Sequence, residues 1–430
     1  MSDIVVYGRG KTAQSLLKML QKLHLDAIMY DDATGFDGNG KFSENSLVLL
    51  SPGVPPQAKG VQLARQNGAN VVGELEFCFP YSKGKCISVT GTNGKTTTCE
   101  MIYHVLQNCG VSSRLLGNGG VPFSSQVLEV VENEIVVLES SSFQLLDCKG
   151  FAPFVSVVTN LAVDHLNYHG SFEQYAKAKE NNFVHQKEGY ALFNLDDGGA
   201  VNLSRKAKCK TLFYSVNNTE ANCYYDGDNV VLRCDGQITR ISARFLKQYA
   251  KHNLSNSLGA ILACACVGIP PNLAVDALQT YALLPHRLQQ VANFCGVTFI
   301  DDSKATNVHA TVSALSCFSQ NVGLILGGSD KGENYDPIFE TMGTNVKLVV
   351  AVGETAADIR QCGQKHGVDV KIYDDFSKAT RYCFEQMKNI GGVVLMSNAC
   401  ASFDLFSGYG ERGDYFQKAV KEIQSDTKKN

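Results

Sequence analysis

The amino-acid sequence predicts an α/β protein of three domains, and three observations carry that prediction. The chain of 430 residues is too long for one ordinary core, because domains average roughly 150 residues. Short, wholly apolar runs recur between stretches of helical periodicity, the pattern of parallel strands covered on both faces. A glycine-rich segment, Thr90-Gly91-Thr92-Asn93-Gly94-Lys95-Thr96-Thr97, stands between one such run and a helix, the context of a loop that cradles phosphate.

The first domain opens on the strand Ile4-Val5-Val6-Tyr7, a glycine turn and a helix with Leu16, Leu17 and Leu20 on its apolar face. The strand Leu47-Val48-Leu49-Leu50, the turn Ser51-Pro52-Gly53 and the short strand Asn70-Val71-Val72 follow, and Pro80 to Gly84 breaks the pattern. The second domain starts with the strand Cys86-Ile87-Ser88-Val89 and gains strands at Ile135–Leu138 and Phe154–Val158. Tyr225-Asp226-Gly227-Asp228 and Cys234-Asp235-Gly236-Gln237 sit between β-rich runs and read as hairpin turns. A helical stretch punctuated by Pro270-Pro271 and Leu284-Pro285-His286-Arg287 ends this domain near Leu283. Val297–Ile300, Gly323–Leu326, Leu348–Ala351 and Val393–Met396 build a third sheet. The expected domains are therefore residues 1–83, 84–283 and 284–430.

Composition narrows the class. With 44% hydrophobic and 19% charged residues and a net charge of -3, the chain suits a soluble globular protein with no polyanion-binding stripe, so nucleic acid is not an expected partner. The start lacks the signature of a signal peptide and no apolar run reaches the ~20 residues that span a bilayer, so a cytoplasmic protein is expected. Its fifteen cysteines are scattered and read as reduced thiols, and the close pair Cys264 and Cys266 lacks further ligands at zinc-site spacing.

In the phosphate loop, glycines let backbone N–H groups close around phosphate oxygens, while Lys95 and the Thr96 hydroxyl can serve phosphate and Mg²⁺. Val89 occupies the position where the usual spacing has another glycine, so the loop is a shortened variant. Ligands of open parallel sheets gather at the strands' carboxyl ends. Glu139 directly follows the strand ending at Leu138, and Asp164 and His165 follow the strand ending at Val158; each can hold a cation or simply face solvent. Ser171 to Phe183 reads as a helix capped by Ser171, with Lys179 on the same stripe as Phe172, Tyr175, Ala176 and Phe183. That lysine can snorkel to water or stand buried, where an amine is readily shifted or modified. Gly8-Arg9-Gly10-Lys11-Thr12-Ala13, with Asp31 and Asp32 about twenty residues on, fits a dinucleotide pattern that can bind a diphosphate, bind NAD, or only pack strand on helix. In the third domain Asp301-Asp302-Ser303-Lys304-Ala305-Thr306-Asn307 and Gly327-Gly328-Ser329-Asp330-Lys331 each follow a strand. Their lysines can bind carboxylate or phosphate or remain solvated, and Ser402 and Phe403 lie in a loop whose aromatic can be partly buried.

These motifs, in this order over essentially the whole chain, resemble the Mur ligases of bacterial cell-wall synthesis. The T-G-T-N-G-K-T loop is shared with folylpolyglutamate ligases, whereas D-S-K-A-T-N, L-P-H-R and A-C-A-S narrow the likeness to the branch that adds D-glutamate. The resemblance implies Rossmann-like N- and C-terminal domains, the first for a UDP moiety, around a central ATPase domain, with the last closing over the site. It implies that Gly91, Thr92, Asn93, Gly94, Lys95, Thr96 and Thr97 hold ATP, and that Thr96, Glu139, His165 and Lys179 serve two Mg²⁺ ions, Lys179 as a carbamate. Asn253 and Asn256 would take the adenine side, with Arg287 and Asp302 as further nucleotide contacts. Thr12 and Ser51 would lie near the UDP phosphates, and Asn118, Ser141, Gln144 and His286 would face the muramoyl-alanine arm. Thr306, Lys331, Ser402 and Phe403 would receive D-glutamate, and Lys304 would approach the transferred phosphate.

The activity so implied joins UDP-N-acetylmuramoyl-L-alanine to D-glutamate at the expense of ATP, through an acyl phosphate, in a monomer whose partners are these small molecules and not a membrane. Asp32-Ala33 departs from the Thr-Arg pair that better-known members carry beside the uracil. Three rivals are weighed beside this reading. They are a sister or folylpolyglutamate ligase taking another amino acid, an NAD-dependent dehydrogenase built on Gly8 to Ala13, and a silent nucleotide-binding scaffold. The dehydrogenase leaves the phosphate loop and Lys179 unexplained.

Overall fold

The computed structural model describes residues 4–38, 40–118, 120–234, 236–249, 251–282 and 285–429. The expected boundary at Leu283 and Leu284 and the turn residue Asp235 lie outside these described residues.

Twenty strands form three sheets among the described residues. The first holds β1 (Ile4–Tyr7), β2 (Ala27–Asp31), β3 (Gly35–Phe36), β4 (Leu47–Leu50) and β5 (Asn70–Gly73) in the order β3-β2-β1-β4-β5. All its pairs are parallel except β2 with β3.

The second has nine strands: β6 (Lys85–Thr90), β7 (Ser113–Gly117), β8 (Ile135–Glu139), β9 (Val155–Val158), β10 (Tyr190–Asn194), β11 (Lys210–Ser215), β12 (Cys223–Tyr225), β13 (Asn229–Cys234) and β14 (Gln237–Ser242). Their order is β14-β13-β12-β11-β10-β9-β6-β8-β7. The run from β7 to β12 is parallel, and the two hairpins β12–β13 and β13–β14 extend it antiparallel, as the Asp-Gly turns foretell.

The third sheet comprises β15 (Gln289–Phe294), β16 (Val297–Asp301), β17 (Val322–Leu326), β18 (Val346–Val352), β19 (Val370–Tyr373) and β20 (Gly392–Met396). Its order is β15-β16-β20-β17-β18-β19, with only β15 antiparallel.

The chain divides into two compact units, Met1–Tyr281 and Ala282–Asn430. The three expected sheets are there, but the first two share one unit. The reason is a common core: Ile4, Val6, Leu16 and Leu20 of the first sheet and its helix pack in one cluster with Leu116, Phe123, Val136, Leu138 and Phe151. Burial of apolar side chains from both sheets against each other stabilises them together. The second unit encloses two clusters, one on each face of its sheet, represented by Leu324 and Leu395 on one and Ile325 and Met396 on the other. That is the alternation of a strand covered twice. No described helix is long and apolar enough to cross a membrane, and the described cysteines are free thiols.

Candidate active site

In the first unit β6 lies between β9 and β8, so three strands deliver their carboxyl ends side by side. The loop after β6 runs into helix Lys95–Asn108 through Gly91 at φ +150° and Gly94 at φ +84°. A Cβ on Gly91 would overlap the Thr159 hydroxyl, and one on Gly94 would lie 2.5 Å from Asn256 Oδ1. Only glycine meets both the backbone and the space requirement. The segment after β9 braces the loop: Thr92 N donates to Asn160 O at 3.0 Å and Asn93 N to Asn160 Oδ1 at 2.9 Å. The Thr159 hydroxyl donates to Asn93 O at 2.6 Å. Lys95 bends back so that Nζ donates to the carbonyls of Gly91 (2.9 Å) and Thr92 (2.8 Å).

Lys179 is the unusual member of this group. It sits on helix Phe172–Glu180, whose N-cap is Ser171 as expected, and is only 1% exposed, so it does not snorkel to water. Its Nζ donates to Gly91 O at 2.7 Å and stands 4.7 Å from the centre of the Tyr175 ring. Burial, and then the charge of Lys95, push its pKa well below the ordinary lysine value, opposed by Asp164. The helix stripe thus presents an amine to the loop.

Glu139 ends β8 and is buried, and its Oε1 accepts from Asn118 Nδ2 at 3.0 Å. Thr96 and Glu139 line one cavity of about 160 Å³ with Cys99, Glu100 and Gly120. A hydroxyl and a carboxylate facing one small space form an oxygen donor set of the kind Mg²⁺ takes. His165 lies in the left-handed region at φ +53°, with Nε2 3.6 Å from Asp164 Oδ2 and its ring 4.7 Å from Phe143. Beyond it His169, which sequence reasoning passed over, is buried, and its Nε2 is 3.0 Å from Ser142 Oγ. Burial, then the neighbouring His165 and Lys179, lower its pKa to about 4.

Asn253 and Asn256 lie on helix Lys251–Cys266. Asn256 packs against Gly94, and the buried Asn253 Oδ1 has no hydrogen-bond partner. The Thr97 hydroxyl is likewise buried and unpaired. Ser141 and Gln144 instead cap each other across helix Ser142–Leu145, Ser141 N donating to Gln144 Oε1 at 3.0 Å and Gln144 N to Ser141 Oγ at 3.3 Å. Their first duty is to hold that turn.

Ser51 and Thr12 belong to the first sheet's carboxyl edge. The Ser51 hydroxyl is buried without a partner, and Gly8, at φ +109°, leaves room for it where a Cβ would stand 2.9 Å away. Asp32 is tied into the fold by Gly60 N at 2.9 Å and Tyr30 Oη at 3.1 Å. Although burial works against it, the nearby Tyr7 hydroxyl and those bonds hold its carboxyl below the ordinary value. Its carboxylate thus has a structural role where a Thr-Arg pair was the reference.

In the second unit β16, β20 and β17 are neighbours, and the loops after all three converge. Lys331 Nζ donates to Thr306 O at 3.3 Å, Ser329 and Ala401 form a bridge, and Lys304 Nζ stands 3.8 Å over the Tyr409 ring. Ser402 is buried, whereas Phe403 is 74% exposed rather than partly buried, because Ser402 and not its neighbour turns inward. His286 Nδ1 is 2.7 Å from Asp301 Oδ2. Asp302 is buried and accepts from Ser397 Oγ at 2.7 Å and Leu288 N at 3.2 Å, and burial pushes its pKa up to about 7, with Arg287 acting against it.

Arg412, unforeseen from sequence, knots these loops together. Fully buried on helix Tyr409–Lys429, it donates through Nε to Ser303 Oγ (3.0 Å), through Nη1 to Ala401 O (2.9 Å), and through Nη2 to Ser303 O (2.8 Å) and Cys400 O (3.1 Å). No local motif marks it, since its partners lie up to 109 residues away.

A glycine-relieved loop at a helix N-terminus, with one lysine folded over it and another buried against it, defines a phosphate-loop nucleotide-binding protein. Comparison with known proteins agrees. Residues 89–264 match the Mur ligase middle domain and residues 286–400 the Mur ligase glutamate ligase domain. The chain is 33% identical to the UDP-N-acetylmuramoylalanine--D-glutamate ligase of Thermoanaerobacter pseudethanolicus, with 98% of each chain covered. It is 35% identical to the enzyme of the same name from Koribacter versatilis, over 92% of this chain and 87% of that one. Two solved structures share the fold. A pseudomurein peptide ligase type C from Methanothermus fervidus has a TM-score of 0.62 at 14% identity, over 98% of this chain and 100% of that one. MurF ligase from Thermotoga maritima in complex with ADP has a TM-score of 0.61 at 19% identity, over 98% and 96%.

The chain belongs to the Mur ligase family.

Proposed function

We propose that this ATP-dependent ligase joins the carboxylate of UDP-N-acetylmuramoyl-L-alanine to the amine of D-glutamate in the cytoplasm, as a step in making the peptidoglycan precursor. The observation that carries the reading is the contact of the buried Lys179 amine with the Gly91 carbonyl inside the phosphate loop. A loop gripped by Asn160 and Thr159 and flanked by two amines suits the β- and γ-phosphates of ATP. The names borne by relatives at 32–36% identity supply the acceptor and the amino acid.

In this reading the substrate carboxylate attacks the γ-phosphorus, the bond to the β,γ-bridging oxygen breaks, and ADP leaves as an acyl phosphate forms. The amine then adds to the activated carbonyl, loses a proton, and expels phosphate from the tetrahedral adduct. Backbone N–H groups at the helix N-terminus, Gly94 to Thr96, and the Lys95 ammonium neutralise the charge spread over the transferring group, which is where most of the rate enhancement of such transfers arises. Lys95 swings off its loop carbonyls to do so. Mg²⁺, when bound, supplies Lewis-acid polarisation of the phosphoryl oxygens, and Thr96, Glu139 and His165 are the residues that would hold it. Asn118 fixes the Glu139 carboxylate for that duty.

Lys179 would join as a carbamate. Its depressed pKa supplies neutral amine, whose lone pair adds to CO₂ with release of one proton, converting a buried cation into a carboxylate-like anion. Thr12 and Ser51 would receive the UDP diphosphate, Asn253 and Asn256 the base of ATP, and Lys331, Thr306 and Ser402 the amino acid.

The test is phosphate release with UDP-N-acetylmuramoyl-L-alanine, ATP and a panel of amino acids. Release dependent on D-glutamate is expected, and dependence on a different amino acid would overturn the substrate assignment.

A further inference from the structure

Away from the strand-end loops, the second unit brings together Asp336, Cys362 and His366, among the described residues the one cluster of three metal-ligating side chains whose donor atoms all lie within 4.8 Å of one another. Cys362 and His366 are four residues apart on helix Ala356–Lys365 and its C-cap, so they project from one face. Asp336 opens the neighbouring helix Asp336–Thr341. Its Oδ1 accepts from Cys362 Sγ at 3.1 Å and lies 2.9 Å from His366 Nε2. The ring of His366 stacks on Phe339 with centroids 5.9 Å apart and planes 11° apart, which fixes the direction of Nε2.

We infer that Asp336, Cys362 and His366 form a binding site for a thiophilic divalent cation of the Zn²⁺ class, with a fourth position open to water. One sulfur, one imidazole nitrogen and one carboxylate oxygen are ligands that zinc accepts, and the sulfur excludes Mg²⁺ or Ca²⁺ as the preferred ion. Ligand bonds of about 2.0–2.3 Å give tetrahedral edges of about 3.3–3.5 Å. The observed 3.1 and 2.9 Å separations need to open by only a few tenths of an ångström. Cys362 is buried while His366 is exposed, so the cluster has a closed side that selects the thiolate and an open side through which an ion and its water enter.

The cation replaces two hydrogens now pointing at the same oxygen. Because the ligand is the thiolate, binding must release the Cys362 thiol proton, and affinity should rise with pH. Once bound, the ion would cross-link the two helices on one face of the sheet, a brace between elements that also share the apolar cluster of Ile338, Phe339 and Ile359.

The experiment is Co²⁺ titration of the metal-stripped full-length protein, followed by competition with Zn²⁺. A thiolate-to-cobalt charge-transfer band in the near ultraviolet, displaced by Zn²⁺, is expected. It should vanish in Cys362→Ser, weaken by at least about tenfold in affinity in His366→Ala and Asp336→Asn, and persist in Glu139→Gln, which alters the phosphate-loop cavity. Far-ultraviolet circular dichroism of each variant separates loss of a ligand from loss of fold. No band in the wild-type protein, or a band that survives Cys362→Ser, overturns the site and leaves three side chains joined by ordinary hydrogen bonds.

Discussion

Lys179 sits 1% exposed within the influence of Lys95, and both facts favour its uncharged amine. The amine is therefore deprotonated more readily, and is more available as a nucleophile, than that of an exposed lysine. If it acts as a carbamate, Lys179→Ala should reduce turnover about 10²-fold or more, the scale of losing one preorganised charge from a phosphoryl-transfer site. Lys179→Glu should regain part of it and lose the wild-type dependence on dissolved CO₂; steady-state phosphate release in degassed and bicarbonate-supplemented buffers measures both. Equal activity in wild type and the Ala variant would refute a metal-binding role. Asp302 supplies a second case, on stability. Its folded pKa of about 7 lies above the ordinary 3.8, so the native state favours the protonated acid. That contribution is fully present below about pH 4 and is lost as pH rises through about 7, in total about 4 kcal/mol. Asp302→Asn, neutral throughout and still able to face Ser397, should gain on the wild type in thermal denaturation as pH is raised from 4 to 8. Parallel stability curves would mean that the carboxyl ionises in the fold without cost.

At the scale of elements, the phosphate loop shows why a contiguous motif is legible and its supports are not. Two glycines, a lysine and a threonine within six residues announce strand, loop and helix together, and the structure has them so. The brace at Thr159 and Asn160 arrives from 67 residues along the chain, with no pattern of its own to mark it. Gly91→Ala should test the loop alone. A Cβ there meets the Thr159 hydroxyl at φ +150°, a strain of about 1–3 kcal/mol, or roughly a five- to hundredfold loss of affinity for an ATP mimic in calorimetric titration. Gly198→Ala, with open space around its Cβ, should leave binding unchanged and serves as the control. The same logic sorts the strands. β1, β4, β6, β8, β9, β16, β17 and β20 are read from apolar runs because both faces are covered, whereas β14 and β15 have exposed or half-exposed residues and carry little periodic signal. Arg412 resembles any helical arginine until its five acceptor atoms are seen.

For the whole molecule, the sequence pattern makes the three sheets legible but not the core that the first two share. Three sheets are legible because each has apolar strands of its own, but the shared core of the first two depends on side chains such as Phe123 and Phe151 clustering with Val6 and Leu20, a grouping no local pattern encodes. What remains separable is the chemistry. In the proposed reading the first unit carries the phosphate loop, Glu139 and Lys179, which make the acyl phosphate, and the second carries Lys331, Thr306 and Ser402, which receive the amine. Substitutions in the two units should then fail in different ways. Lys95→Ala should abolish ADP formation whether or not D-glutamate is present, since no phosphoryl group is transferred. Lys331→Ala should leave single-turnover ADP formation with UDP-N-acetylmuramoyl-L-alanine near the wild-type rate, while raising the KM for D-glutamate by about tenfold or more, the loss of one charged hydrogen bond of roughly 1.5–3 kcal/mol. Rapid-quench measurement of ADP beside steady-state titration of the amino acid distinguishes the two. Loss of single-turnover ADP formation in Lys331→Ala would mean that the second unit takes part in phosphoryl transfer itself, and the division of labour would have to be redrawn.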